Sequence, residues 1–87
     1  MAQFRKKPVV IEAVTWNGEY GSPGEWPPWF NQSLYGGPLT ILDNGKLQVR
    51  TRELTMIGDI GDKIIKGIDG EIYPWKPDIF AATYEPA

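Results

Sequence analysis

Cysteine and histidine are both missing from this chain of 87 residues. Without cysteine there is no disulfide, no thiol nucleophile and no thiolate ligand. Without histidine there is no imidazole base and no Cys/His zinc site. Any acid–base chemistry falls to Asp, Glu, Lys or Tyr, which lowers the prospect of an enzyme without abolishing it. No run of 18 apolar residues occurs, so no membrane span is expected. An excess of positive charge is absent too. The net charge of −2 argues against bulk nucleic-acid binding through a basic surface. The glycine-rich stretch GDIGDKIIKGIDG lacks both GxGxxG and GxxxxGK(S/T) spacing, so it is no phosphate loop. Asp59, Asp62 and Asp69 fail the calcium-loop pattern, with Ile60, Ile64 and Ile65 between them. No metal and no cofactor is expected.

What is present reads as a folded domain. A hydrophobic fraction of 41% with four Trp and four Tyr is ordinary for a globular chain. The length fits a single small α+β domain over residues 1–87, with five or so strands expected in one mostly antiparallel sheet with β-hairpins. A chain this short buries about 60–65% of its unfolded surface, so a homo-oligomer is expected to supplement its stability. The basic N-terminus leads into no apolar core before a cleavage site, so no signal peptide is expected and the cytoplasm is the default.

Arg5, Lys6 and Lys7 form a basic cluster. Exposed charge runs are as a rule solvated. The sharper reading is an anion contact, for phosphate or an acidic partner. Pro8 then opens a β-branched strand to Trp16, apolar on both faces, which predicts a central or doubly covered strand. Turn residues fill positions 17–24. Trp26, Trp29, Phe30 and Leu34 recur near helical spacing after Pro27 and Pro28, so a short aromatic helix near residues 27–34 is expected to lie on the sheet. An aromatic binding groove is the alternative for this segment.

Asn44-Gly45, the strongest short-range turn signal, marks a hairpin between residues 39–43 and 46–52. Leu47 and Val49 point one way; Lys46, Gln48, Arg50 and Arg52 point the other. Arg50 and Arg52 therefore share a face and present guanidinium forks suited to phosphate or carboxylate. The plainer reading is a solvated face paired with Glu71 or Glu53. Residues 53–59 read as a linker or irregular strand. A type I′ turn is expected at Asp69-Gly70. Pro74 is expected to break the following strand. Pro77 then starts a helix near 78–84 with Ile79, Phe80, Thr83 and Tyr84 on one face.

The opening FRKKPVVIEAVTW, from Phe4 to Trp16, and the closing stretch from Gly61 to Glu85 carry a resemblance. In the second, Gly61, Asp62, Gly67, Gly70, Tyr73, Pro74, Lys76, Pro77 and Tyr84 are the telling residues. Together they resemble a set of small phage and prophage proteins named for a Pro-Gly-Asp-Tyr-Gly (PGDYG) motif. The likeness covers both ends, roughly half of the chain. Ile60 stands where that motif has Pro, and Lys63 where it has an aromatic. Trp75 stands where many relatives carry Cys, so no thiol role carries over. The resemblance implies a phage or prophage origin, a bacterial cytoplasm and a small α+β fold. It implies no assigned reaction.

The expected function is a non-enzymatic accessory binding protein, in counter-defence or host takeover. Its partner would be a small anionic or nucleotide-type ligand, or a host protein. Arg50 and Arg52 would take phosphates, Tyr73 and Trp75 would stack, and Lys66 and Lys76 would add charge. A structural or assembly module of a phage particle is the first alternative. A small carboxylate enzyme using Asp62 or Glu71 with Lys66 is the second.

Overall fold

The computed structural model describes residues 10–34 and 36–85. The start of the first strand at Pro8 and the cluster Arg5, Lys6 and Lys7 lie outside them. Six strands and two short helices follow in chain order: β1 (Glu12–Thr15), α1 (Pro28–Leu34), β2 (Leu39–Ile41), β3 (Leu47–Arg50), β4 (Thr55–Gly58), β5 (Lys63–Lys66), β6 (Ile72–Trp75) and α2 (Pro77–Thr83). The fold is α+β, as composition and turn signals predict. The strands form two antiparallel three-stranded sheets, ordered β1-β5-β6 and β2-β3-β4, and not the single sheet expected.

Alternation along the strands selects the core. Leu47 and Val49 of β3 are buried while Arg50 is exposed. Ile64 and Ile65 of β5 are both buried; adjacent in a strand, they point to opposite faces. Ile64 joins Trp16, Phe30, Leu39, Leu47, Val49 and Ile72 in the main core. Gly58 sits where the two sheets approach. A Cβ on it would lie 3.3 Å from Pro74 Cβ and 3.4 Å from Ile64 Cδ1, so a larger residue would wedge the sheets apart.

Four further expectations change. The first strand is an edge of its sheet, with β5 in the centre, and Glu12, Ala13 and Thr15 are exposed. Apolar residues on both faces did not make it central, because β5 carries the pair of buried isoleucines. Residues 55–58 form a regular strand paired with β3. Pro74 does not break β6, which runs on to Trp75. As an edge strand of its sheet, β6 tolerates a missing ladder donor. Neither hairpin has a type I′ turn, since among the described residues only glycines take positive φ. The Gly45 amide donates to Leu42 O at 3.0 Å and the Gly70 amide to Gly67 O at 3.0 Å. Each loop is therefore a type I turn followed by a left-handed glycine, which spares Asn44 and Asp69 the left-handed conformation.

The aromatic segment is core. Trp26 stacks on Phe30 with centroids 4.5 Å apart, and Trp16 lies 5.6 Å from Trp26. Such pairs contribute about 0.5–1.5 kcal/mol each beyond their burial. Trp16 is fully buried, and its indole Nε1–H donates to Gly45 O at 2.8 Å. Its backbone is held as well: its N–H donates to Asp62 O at 2.9 Å, and its carbonyl accepts the Gly61 N–H at 2.7 Å. Trp16→Phe should therefore cost about 2–4 kcal/mol, from a cavity plus an orphaned carbonyl. Urea unfolding measures it, and a loss below about 1 kcal/mol would contradict this role.

Candidate functional site

The turn joining β5 to β6 builds one end of the site. Asp69 Oδ1 accepts the Glu71 N–H at 3.1 Å, which ties the carboxylate to the loop. Beyond it the period of two sends Tyr73 and Trp75 to the outer face of the sheet, with Ile65 opposite Tyr73 in register. α2 covers only one end of that face. It has no buried residue, and Tyr84, just past its C-terminus, packs on Trp75 with centroids 5.4 Å apart. The uncovered remainder is a groove of about 490 Å³ lined by Ile65, Ile68, Asp69, Tyr73, Trp75 and Tyr84, among others.

A second cleft, of about 400 Å³, opens beside it. Arg50, Thr51, Arg52, Asp69 and Glu71 line it. Arg50 ends β3, and Arg52 lies in the β3–β4 turn, which Thr51 closes by its N–H donating to Leu54 O at 2.8 Å. The two arginines thus meet in one cleft, although Arg52 is no longer on the strand. The Arg52 N–H donates to Glu71 Oε1 at 3.0 Å, and its guanidinium lies 3.6 Å from both Glu71 Oε2 and Asp69 Oδ2. This is the Glu71 pairing anticipated from the charge pattern; it links the two sheets. Tyr73 OH donates to Glu71 Oε2. That bond, and then the Arg52 N–H, hold the Glu71 carboxyl below the usual carboxylate range. The same bond, and then burial, push the Tyr73 hydroxyl up. Arg50 reaches only Gly37 O, at 3.5 Å, and has no carboxylate partner among the described residues.

Lys76 stands at the far end of β6. Its Nζ donates to Asp59 Oδ2 at 2.6 Å and to Asp62 Oδ2 at 3.0 Å. Lys46 Nζ lies 3.1 Å from Asp59 Oδ1. Asp62 is buried and also accepts the Asp59 N–H at 2.8 Å. The Lys76 hydrogen bond and then Lys46 lower the Asp59 carboxyl, and Asp59 and then Asp62 raise the Lys76 ammonium. This cluster joins the β2–β3 hairpin, the turn before β5 and the start of α2.

Of the residues singled out from sequence, Arg50 and Arg52 share the cleft at the β5–β6 turn, and Tyr73 and Trp75 line the adjoining groove, with Trp75 at the end of β6 away from the turn. Lys76 is committed to its carboxylates at the other end. Lys66 lies opposite Glu12 and Ile72 in register, on the Ile64 face of β5 and away from Tyr73 and Trp75. Arg5, Lys6 and Lys7 lie outside the described residues. Sequence reasoning missed Asp69, Ile65 and Tyr84 as site residues. The Asp-Gly turn signal and the Ile79-to-Tyr84 helical stripe were the available pointers.

No family model, curated protein or solved structure matches this chain.

The chemistry of the site therefore has to speak for itself. It offers stacking surfaces and two guanidinium groups. Among the described residues no group of three or more acids assembles to hold a metal, and no helix is long and apolar enough to cross a membrane.

The ion pairs set the pH dependence. Asp59 and Glu71 have folded pKa values below their unfolded ones. Their contribution is complete above the unfolded carboxylate range and is lost as pH falls through the lower folded values. Lys76 and Tyr73 have raised pKa values, so theirs is complete below the unfolded range and lost as pH rises through the folded values. Stability should be flat between about pH 5 and 9 and decline outside that window. Urea midpoints from pH 2 to 11 measure it, with Asp59→Asn softening the acid limb. A midpoint that drifts steadily across the plateau would refute the assignment.

Proposed function

We propose that this chain is a non-enzymatic accessory binding protein that takes a nucleotide-type ligand around the β5–β6 turn. One observation carries the reading: the aromatic groove and the arginine cleft meet at a shared wall. A base fits the first by stacking on Trp75 and Tyr73, which is sequence-tolerant because every base has a π-face. A phosphate fits the second, where Arg50 lacks a carboxylate partner among the described residues and Arg52 is 73% exposed. The 3.6 Å separations leave Arg52 free to form shorter bonds with a phosphate. Groove and cleft, about 490 and 400 Å³, are each of ligand size.

The titratable groups favour binding over catalysis. Lys76 is raised and Asp59 lowered, both away from the neutral range where a general acid or base works best. Glu71 is tied to Arg52 and Tyr73, and Asp62 to Lys76, so neither carboxylate pairs with Lys66 among the described residues. The resemblance to small phage and prophage proteins supports a counter-defence or host-takeover role in a bacterial cytoplasm. A domain this small gains stability from a partner copy, so self-association is part of the same proposal.

Native mass spectra of protein from bacterial cytoplasm, with and without an active nucleotide-signalling defence system, test the proposal. The expected result is an oligomer carrying extra mass of nucleotide size. Trp75→Ala should weaken binding about tenfold through lost stacking, and Arg50→Ala with Arg52→Ala by at least as much. A ligand-free species in both settings, with variants indistinguishable from wild type, would overturn it.

A further inference from the structure

Among the described residues, Asp69 is the single one that lines both the aromatic groove and the arginine cleft. A nucleotide laid across them, base on Trp75 and phosphate on the guanidinium groups, carries its sugar past this carboxylate. The carboxylate is placed to act there. Its Oδ1 is held by the Glu71 N–H at 3.1 Å, which fixes the side chain. Its Oδ2 lies 3.6 Å from the Arg52 guanidinium, outside hydrogen-bond length, and the side chain is 50% exposed. A carboxylate offers about four lone-pair sites, so acceptor capacity remains on Oδ2. The vicinal hydroxyls of a ribose are donors that suit it, and acidic side chains read the ribose 2′-hydroxyl in this way at other nucleotide sites.

We propose that Asp69 reads the sugar, so that the site takes ribonucleotides and rejects their 2′-deoxy counterparts. The physical basis is one charge-assisted hydrogen bond that a deoxyribose cannot make. The carboxylate also repels phosphate, so a ligand lacking the 2′-hydroxyl meets that repulsion without the compensating bond. Tethering by the loop matters here, because a mobile carboxylate would swing onto Arg52 and leave the sugar unread. The ribose contact presupposes the binding role proposed above and adds the class of ligand to it.

The test is isothermal titration of the full chain with ATP, GTP, CTP and UTP and with the four matching 2′-deoxynucleotides. Wild type should bind at least one ribonucleotide about tenfold or more tightly than its deoxy counterpart. Asp69→Asn is the informative variant. It keeps Oδ1 for the Glu71 N–H, and Asn-Gly is a good turn pair, while a donor replaces Oδ2. It should bring the ribo-to-deoxy ratio close to one, chiefly by weakening the ribonucleotide, with the urea midpoint little changed. Equal wild-type binding of both series would overturn the ribose contact and leave the nucleotide site standing. A ratio that survives Asp69→Asn would remove Asp69 as the reader. Absence of binding to all eight compounds would overturn both the site and its sugar preference.

Discussion

Trp16 is the joint on which the two sheets depend. Its ring fills the core beside Trp26 and Phe30. Its indole N–H reaches the β2–β3 turn at Gly45, and its backbone pairs with the turn before β5. One residue thus fastens the end of β1 to a hairpin of the other sheet. A buried indole needs a partner for its N–H, so this side chain sets the distance between the parts it touches. A sheet of three short strands has little stability alone. Packing around Trp16 lets two such sheets share one core.

Charge completes what apolar burial begins. The Lys46, Asp59, Asp62 and Lys76 cluster closes one end, and the Arg52, Asp69, Glu71 and Tyr73 network closes the other. Each draws residues from both sheets. Exposed ion pairs add little energy singly, but these are hydrogen-bonded through backbone amides and so fix geometry. At one end the cations are satisfied internally. At the other Arg50 remains uncompensated among the described residues, in a cleft that adjoins the groove left open by the short α2. The difference between the two ends is what makes one a clamp and leaves the other as the candidate site.

The helix ends and the hairpins were legible in the chain. Pro77 starts α2 because its missing N–H costs nothing in a first turn. Leu47 and Val49 announce a half-buried strand by alternation. The two turn types were not legible, since Asn-Gly and Asp-Gly suit either a type I′ turn or a type I turn with a left-handed glycine. Pro74 misled for a similar reason: its effect depends on whether the strand has a neighbour on that side, which local sequence does not encode. Arg50 and Arg52 were traceable as a pair through their spacing. Asp69 was hidden, because a turn aspartate reads the same whether or not a cleft lies on either side of it.

The sequence by itself determined the α+β class, the alternation of strands such as β3 and the chemical limits that follow from lacking Cys and His. These are local or compositional properties, fixed by period, turn residues and side-chain inventory. Only the tertiary structure decided that the strands divide into two sheets, that β1 is an edge, and that Lys66 and Lys76 part from Arg50, Arg52, Tyr73 and Trp75. Those outcomes depend on which strands pair across long stretches of chain. Such pairing is settled by the fit of the whole core around Trp16, a sum over distant contacts that no single segment carries.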